Sequence, residues 1–161
     1  EHVRKAWTIS PLISDQFVTV VPPQMRAGTS WFQGTADAVH QNINLLEEHA
    51  PDFVVVFGAD HIYRMDILQM VEFHKERRAD VSIAALPVPL ADARGFGVIA
   101  AGSDGRIEAF QEKPDNPTPM PGDPNSAFAS MGNYVFSTEA LIQALSEAEQ
   151  AGETDFGQHV L

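Results

Sequence analysis

Two short apolar runs separated by a helical pattern constrain the fold of this chain more than any other feature of its sequence. The runs cover residues 53–57 (FVVVF) and 81–86 (VSIAAL), and each ends at a turn-forming glycine or proline, as buried strands do. Between them, Asp66 is placed to cap a helix, with Gln69 three residues later as in a capping box. Strand, helix and strand in this order predict a βαβ unit whose two strands run parallel.

The flanking sequence extends this alternation of helices and strands. A helical repeat follows Thr35, its predicted N-cap, and residues 96–101 and 106–111 predict a hairpin around a Gly-Ser-Asp-Gly turn. Residues 131–136 predict another strand, after which Thr138 is placed to cap a last helix. We therefore expect the α/β class, with a doubly wound, mostly parallel, Rossmann-like sheet.

Composition excludes several classes of function. Ten Lys and Arg against 22 Asp and Glu give a formal net charge of −12, so a general basic surface for nucleic acid or an anionic membrane is excluded, whereas a small phosphate pocket is not. With no cysteine, the chain has no disulfides, thiolate catalysis, zinc ribbons or iron–sulfur clusters. No apolar run approaches the roughly 18 residues of a membrane helix, so a cytoplasmic protein is expected.

A carboxylate follows the first predicted strand where open α/β sheets bind ligands. Asp60 comes after Gly58 and Ala59, which leave the approach to the carboxyl end of the strand clear. Asp60 either holds a hard cation such as Mg²⁺ that bridges a phosphate-bearing substrate, or caps its own turn. The residues alone leave both alternatives open.

Three further stretches carry side chains with possible chemistry. Lys113 follows Glu112 at the end of a predicted strand and precedes a segment, residues 114–124, that holds five of the eleven prolines and predicts an extended loop. Its ammonium would neutralise a sugar phosphate as a point charge, although most Glu-Lys pairs at strand ends are simply solvated. Small residues near Thr35 would admit a flat ring or an anion to backbone amides, and Asp155 supplies a second carboxylate.

Several catalytic motifs are absent from the sequence. It contains no G-x-x-x-x-G-K-[ST], G-x-G-x-x-G, G-x-S-x-G or H-E-x-x-H, and its six histidines lack metal-ligand spacing. This disfavours P-loop chemistry, serine-type catalysis and zinc-dependent hydrolysis.

Six stretches, taken in order, resemble the nucleotidyltransferase domain of bacterial-type ADP-glucose pyrophosphorylase (glucose-1-phosphate adenylyltransferase). The stretches are Trp31-Phe32-Gln33-Gly34-Thr35-Ala36-Asp37-Ala38, Gly58-Ala59-Asp60-His61-Ile62-Tyr63, Gly95-Phe96-Gly97-Val98, Glu112-Lys113-Pro114, Ser130-Met131-Gly132-Asn133-Tyr134 and Asp155-Phe156-Gly157. The similarity runs through nearly the whole chain. It implies Mg²⁺-dependent transfer of the adenylyl group of ATP to glucose 1-phosphate, which gives ADP-glucose and pyrophosphate in glycogen or α-glucan synthesis.

The resemblance also implies roles for individual residues. Asp60 and Asp155 would share the catalytic Mg²⁺, and Lys113 would meet the phosphate of glucose 1-phosphate. Glu112, Gly97 and Ser130 would line the glucose pocket. The nucleotide-side residues would be Trp31, Phe32, Gly34, Thr35 and Ala36, with Phe32 standing where many relatives carry Tyr. Residues 23–26 more loosely resemble a stretch linked to allosteric effectors.

The family pattern departs from this chain at both ends. Relatives begin the domain with a strand and a Gly-rich, phosphate-wrapping loop, and end with a left-handed β-helix domain, so we expect residues 1–161 to be one partial nucleotidyltransferase domain without a second domain. We expect this piece to be inactive in isolation and the full-length protein to be a homotetramer. Two alternatives stay open: a non-catalytic regulatory subunit, and a pyrophosphorylase for another nucleotide or sugar phosphate. A bare ancestral scaffold, with the aspartates as turn caps, requires six motifs to persist by accident.

Overall fold

The computed structural model describes residues 18–22, 32–58 and 64–160, apart from the side chains of residues 158 and 159. The chain divides into two compact units, residues 1–32 and residues 33–161. Of the first unit, residues 18–22 and 32 are described, and they lie outside helices and strands. The second unit contains the helices and strands given below.

Helices and strands alternate along the second unit, which confirms the predicted α/β class. The strands are β1 (Phe53–Phe57), β2 (Val81–Pro89), β3 (Gly97–Ala101), β4 (Ile107–Glu112) and β5 (Ser126–Ser137). The helices are α1 (Thr35–His40), α2 (Ile43–His49), α3 (Ile67–Arg77), α4 (Thr138–Ala151) and α5 (Phe156–His159), with a 3₁₀ turn at Ala93–Gly95. None of the helices within the described ranges is long and apolar enough to cross a membrane.

The strand pairing differs from the mostly parallel sheet that we predicted, because every ladder among the described strands is antiparallel. Strands β1 and β2 do run in the same direction and are joined through α3, as a βαβ unit requires. They are not neighbours, however, because β5 lies between them and pairs with both in the opposite direction. The strand next to β1 is therefore β5, which is distant in sequence, and not β2, the parallel neighbour that we predicted.

Two helix starts also differ from prediction by one residue. Gly34 rather than Thr35 is the N-cap of α1, and Ser137 rather than Thr138 is the N-cap of α4. In both cases the threonine hydroxyl is engaged with another segment instead of its own helix: Thr138 donates to the carbonyl of Pro51 at 2.5 Å, and Thr35 contacts the loop before α5. By contrast, Asp66 caps α3 as predicted, accepting hydrogen bonds from two backbone amides.

Helices cover both faces of the sheet, which confirms the doubly wound arrangement. On one face, α1, α4 and α5 bury Ala36, Leu141, Leu145 and Phe156 against alternate residues of β5. On the other face, α3 places His74 against β1 and β2, where its ring meets Phe53 edge-on with centroids 5.3 Å apart. This two-sided burial matches the apolar sequence of β1.

The buried His74 predicts a pH dependence of stability. The side chain is 1% exposed, its Nδ1 lies 2.9 Å from the Ser82 hydroxyl, and burial lowers its pKa despite the opposing charge of Asp80. Between the folded and unfolded pKa values the unfolded chain binds more protons, so the free energy of unfolding falls as the pH drops through about 6.5, by at most about 1.4 kcal/mol per pH unit.

Urea unfolding at about pH 7.5 and about pH 5.5 measures this dependence. We expect His74→Gln to reduce the difference between the two pH values, and His49→Gln to leave it unchanged. His49 is the matched control because it is an exposed helical histidine bonded to the carbonyl of Leu45. Equal pH dependence in His74→Gln and the wild type would contradict the assignment.

Candidate active site

The central strand β5 changes neighbours part-way along its length. Its carboxyl-terminal half pairs with β1, up to the pair of Phe57 with Asn133, and its other half pairs with β3, up to the pair of Val98 with Ala129. Between these ladders, residues 130–132 pair with neither strand among the described residues. The carboxyl end of β1 and the start of β3 therefore meet at an interruption of the sheet, the kind of place where α/β proteins bind ligands.

A bulge in β5 lies at the same place. Ile83 pairs with Tyr134 and Ala85 with Ser130, so the single residue Ala84 faces three residues of β5. Gly132 within the bulge has a φ of +67°, and its amide donates to the Ser130 hydroxyl at 3.2 Å. A side chain at position 132 would strain this left-handed backbone, so the glycine maintains the bulge that directs Ser130.

Three predicted sugar-site residues lie on neighbouring strands of the sheet. Gly97 of β3 pairs with Glu112 of β4, and Ser130 follows Ala129, the β5 residue that pairs with Val98. A Cβ at Gly97 would overlap the ring of Phe110 and lie 3.3 Å from Glu112 Oε2. The side chains of Phe110 and Glu112 thus lie over the backbone of Gly97.

Lys113 begins the proline-rich loop directly after β4. Its φ is +44°, unusual for a residue other than glycine, and its amide donates to the carbonyl of Phe96 at 3.1 Å. The side chain is 67% exposed, with Nζ 3.3 Å from Glu112 Oε1. The ammonium of Lys113 is therefore accessible to solvent and lies beside the Glu112 carboxylate.

Asp155 lies in the loop before α5, which packs against β4. Its Oδ1 accepts from the amide of Gly157 at 2.8 Å, and its Oδ2 lies 3.5 Å from the Thr35 hydroxyl. A Cβ at Gly157 would lie 3.3 Å from Glu112 Oε2 and 3.4 Å from Asp155 Oδ1, so that glycine separates the two carboxylates. Asp155 is itself exposed.

Tyr134 joins these groups and was missed in the sequence analysis. Burial raises the pKa of its hydroxyl, as do the carboxylates of Asp155 and Glu112, while a hydrogen bond with Ser130 opposes the shift. Its ring stacks on Phe156 at 6.1 Å. A neutral phenol thus lies among two carboxylates and a serine hydroxyl. Alternation along a strand places residues i and i+4 on one face, so the position of Ser130 could have identified Tyr134.

Three of the predicted nucleotide-side residues, Gly34, Thr35 and Ala36, contact the segment around Asp155. The Ala36 amide donates to the carbonyl of Thr154 at 2.9 Å, and a Cβ at Gly34 would overlap that same carbonyl oxygen. Residues 34–36 and 154–156 therefore touch through their backbones. Phe32 belongs to the first unit, where it is half-buried.

Two predicted site residues and one predicted stretch lie outside the described residues: Asp60, Trp31 and residues 23–26. Within the described ranges, no group of three or more His, Asp or Glu is arranged to hold a metal. The pairing of Asp60 with Asp155 at a metal therefore stays a prediction.

Comparison with known proteins gives one consistent family. Residues 1–161 match the family described as nucleotidyl transferase. A protein of Thermodesulfovibrio yellowstonii named glucose-1-phosphate adenylyltransferase is 59% identical over all of this chain and 39% of its own length. Proteins of the same name from Thermus thermophilus and Anaeromyxobacter dehalogenans are 49% and 48% identical, over 100% and 99% of this chain and 40% and 39% of their own lengths.

The chain thus spans about two fifths of the length of the curated relatives that it matches. The α/β sheet with helices on both faces is consistent with the Rossmann-like fold expected of nucleotidyl transferases. With a match that covers its whole length, this chain belongs to the nucleotidyl transferase family.

Proposed function

We propose that this protein transfers the adenylyl group of ATP to glucose 1-phosphate, giving ADP-glucose and pyrophosphate for glycogen or α-glucan synthesis. The observation that carries the proposal is the meeting of Lys113, Glu112, Ser130 and Asp155 at the interruption of the sheet. The names of the relatives support the same substrates. Family membership over residues 1–161 supports the proposal that both units belong to one nucleotidyltransferase domain.

The proposed chemistry needs positioning more than proton transfer. A phosphate oxygen of glucose 1-phosphate forms a bond to the α-phosphorus of ATP, while the bond from that phosphorus to the bridging oxygen breaks and pyrophosphate leaves with its electron pair. The attacking phosphate is already ionised at neutral pH, because the second pKa of a phosphate monoester is about 6. Holding two anions in line and neutralising their charge is therefore the main task of the protein.

Lys113 is the proposed phosphate ligand on the sugar side. An exposed ammonium at a fixed backbone turn acts as a point charge that a phosphate oxygen can approach. Glu112, which contacts Lys113, would accept hydrogen bonds from sugar hydroxyls, and the Ser130 hydroxyl could donate or accept. Gly97 is also proposed to line the sugar site, where the Phe110 ring and the Glu112 carboxylate lie over its backbone.

On the nucleotide side we propose Trp31, Phe32, Gly34, Thr35 and Ala36. Of the last three, Thr35 is exposed, whereas Gly34 and Ala36 pack against the Thr154 carbonyl and hold this segment in place. The contact of Thr35 and Ala36 with the Asp155 loop supports the proposal, because the nucleotide segment then borders the loop that carries a proposed Mg²⁺ ligand.

We propose Asp60 and Asp155 as the carboxylates that would hold Mg²⁺. The chemistry of Asp155 fits a hard cation, because it is an exposed carboxylate and carboxylate oxygens are the ligands that Mg²⁺ prefers in proteins. When bound, Mg²⁺ would supply positive charge next to the phosphates, in a protein whose formal net charge is −12.

The proposal is tested by pyrophosphate release from ATP and glucose 1-phosphate in the naturally expressed protein, beside Asp60→Asn. Release that requires both substrates, Mg²⁺ and Asp60 is the expected result. Release with another nucleotide or sugar phosphate instead would favour a different pyrophosphorylase. Absence of release, with sugar-phosphate binding retained, would favour a regulatory subunit.

The role of Asp155 is tested separately by Asp155→Asn. We expect the Mg²⁺ concentration for half-maximal activity to rise about tenfold or more, because an amide is a poorer ligand than a carboxylate for a hard cation. The matched control is Asp92→Asn, an exposed loop aspartate at the start of the 3₁₀ turn. A raised KM for glucose 1-phosphate with unchanged Mg²⁺ dependence would instead make Asp155 a sugar ligand.

A homotetrameric, cytoplasmic and allosterically regulated protein is also proposed, from the resemblance alone. Light scattering of the naturally expressed protein measures the assembly. A mass other than four chains would contradict the tetramer.

A further inference from the structure

The start of helix α1 makes three hydrogen bonds to the Asp155 loop, residues 154–156, which is distant in sequence. The Ala36 amide donates to the Thr154 carbonyl at 2.9 Å, and the Phe156 amide donates to the Thr35 hydroxyl oxygen at 3.3 Å. The same hydroxyl lies 3.5 Å from Asp155 Oδ2, to which it donates. The Thr35 hydroxyl therefore accepts from Phe156 and donates to the residue before it, Asp155.

Packing beneath these contacts is close. The Gly34 position has no room for a Cβ against the Thr154 carbonyl, and Ala36 and Phe156, 2% and 4% exposed, share one core cluster. Because close-packed groups move together, a shift of residues 34–36 moves the loop that carries Asp155.

We propose that Thr35 is a positioning residue that couples the binding of the two substrates. The inference rests on the proposed function, in which residues 34–36 face the nucleotide and Asp155 would hold Mg²⁺ close to Glu112, on the side of the site proposed for the sugar phosphate. A ligand that orders either segment orders the other through this hydroxyl, so each substrate tightens the binding of the other.

The geometry supports a coupling role for the hydroxyl. A separation of 3.5 Å is at the long end for a hydrogen bond, so the bond to Asp155 has room to shorten when a ligand draws the two segments together. The bond couples the two ligands only if it becomes stronger when a ligand binds. In that case each ligand raises the affinity for the other by the same factor. Valine has the shape of threonine without the hydroxyl, whereas serine keeps the hydroxyl.

The test measures binding of glucose 1-phosphate with and without an ATP analogue whose α–β bridge is a methylene group, in the naturally expressed protein with Mg²⁺. In wild type and Thr35→Ser we expect each ligand to lower the Kd of the other about fivefold or more, by the same factor in both directions. In Thr35→Val we expect that factor to approach one. A factor unchanged in Thr35→Val, or absent from wild type, overturns the coupling.

A second measurement separates this inference from the proposed function. Amide hydrogen exchange at Phe156 is expected to be faster in Thr35→Val and unchanged in Thr35→Ser, because only valine removes the acceptor of that amide. Unchanged exchange with intact substrate binding overturns the positioning role alone. Failure of wild type to bind either ligand overturns the proposed function, and the coupling with it, whatever the exchange shows.

Discussion

Replacing Lys113 with alanine is expected to lower kcat/KM for glucose 1-phosphate by roughly 100-fold, while the KM for ATP stays within about twofold. The reason is the loss of the charge that meets the sugar phosphate. Lys113→Arg keeps the charge but not its compact geometry, so we expect intermediate activity. Steady-state kinetics with each substrate varied in turn gives both constants.

Stability is not expected to explain this loss. At 67% exposure, the contact of Lys113 with Glu112 is worth at most about 1 kcal/mol, as for other surface ion pairs. Lys75 provides the matched control: it is 49% exposed and its Nζ also lies 3.3 Å from a glutamate oxygen, that of Glu72. Lys75→Ala should keep full activity, and equal losses in the two variants would show that Lys113 acts only through the surface charge.

Local pattern was sufficient to predict β1, α3 and the β3–β4 hairpin, and the first part of β2, which continues through Pro87 to Pro89 beyond its predicted end at Leu86. Their periodicity, caps and turns depend on residues that are close in sequence, and the Asp66 cap is present as predicted. The pairing of these strands was not predictable in the same way. It depends on β5, which is distant in sequence and lies between β1 and β2, and no local pattern encodes such a placement.

In the candidate site, too, short motifs identified individual residues but not the contacts between them. The resemblance identified Glu112, Lys113 and Asp155 from short motifs, and the structure brings their neighbourhoods together. What brings them together is the non-local register of β3, β4 and β5 and the left-handed backbone at Lys113, a residue type that gives no signal for positive φ. The bulge at Gly132 is equally invisible, since a glycine within a strand pattern indicates only that the strand is irregular.

Backbone contact between distant segments escaped the sequence analysis altogether. Gly34 suggested room for a ligand, yet the structure shows that its Cβ position is filled by the Thr154 carbonyl. The backbone at Gly34 is extended, with a φ of −178°, which any residue adopts. The glycine is thus required for close approach of two backbones, and this requirement gives the second large prediction.

Replacing Gly34 with alanine is expected to lower kcat/KM for both substrates by roughly 100-fold, because the methyl group pushes residues 34–36 and the Asp155 loop apart and misplaces groups on both sides of the site. The overlap is with a carbonyl rather than a flexible side chain, so the backbone itself must shift, and we also expect a loss of about 1–3 kcal/mol in the free energy of unfolding. Kinetics and urea unfolding measure the two effects.

Gly95→Ala is the matched control, because nothing lies within 4 Å of its Cβ position and its φ is not positive. That variant should keep wild-type activity and stability. Because Gly34→Ala is expected to be less stable, its kinetics are measured without urea, where a variant that unfolds cooperatively at a lower urea concentration is still folded. Under those conditions a normal KM for glucose 1-phosphate, with only the KM for ATP raised, would show that the Asp155 loop does not follow residues 34–36. Loss toward both substrates, by contrast, is what contact between these segments requires: the methyl group is added on the nucleotide side, and the sugar side responds only if the two segments move together.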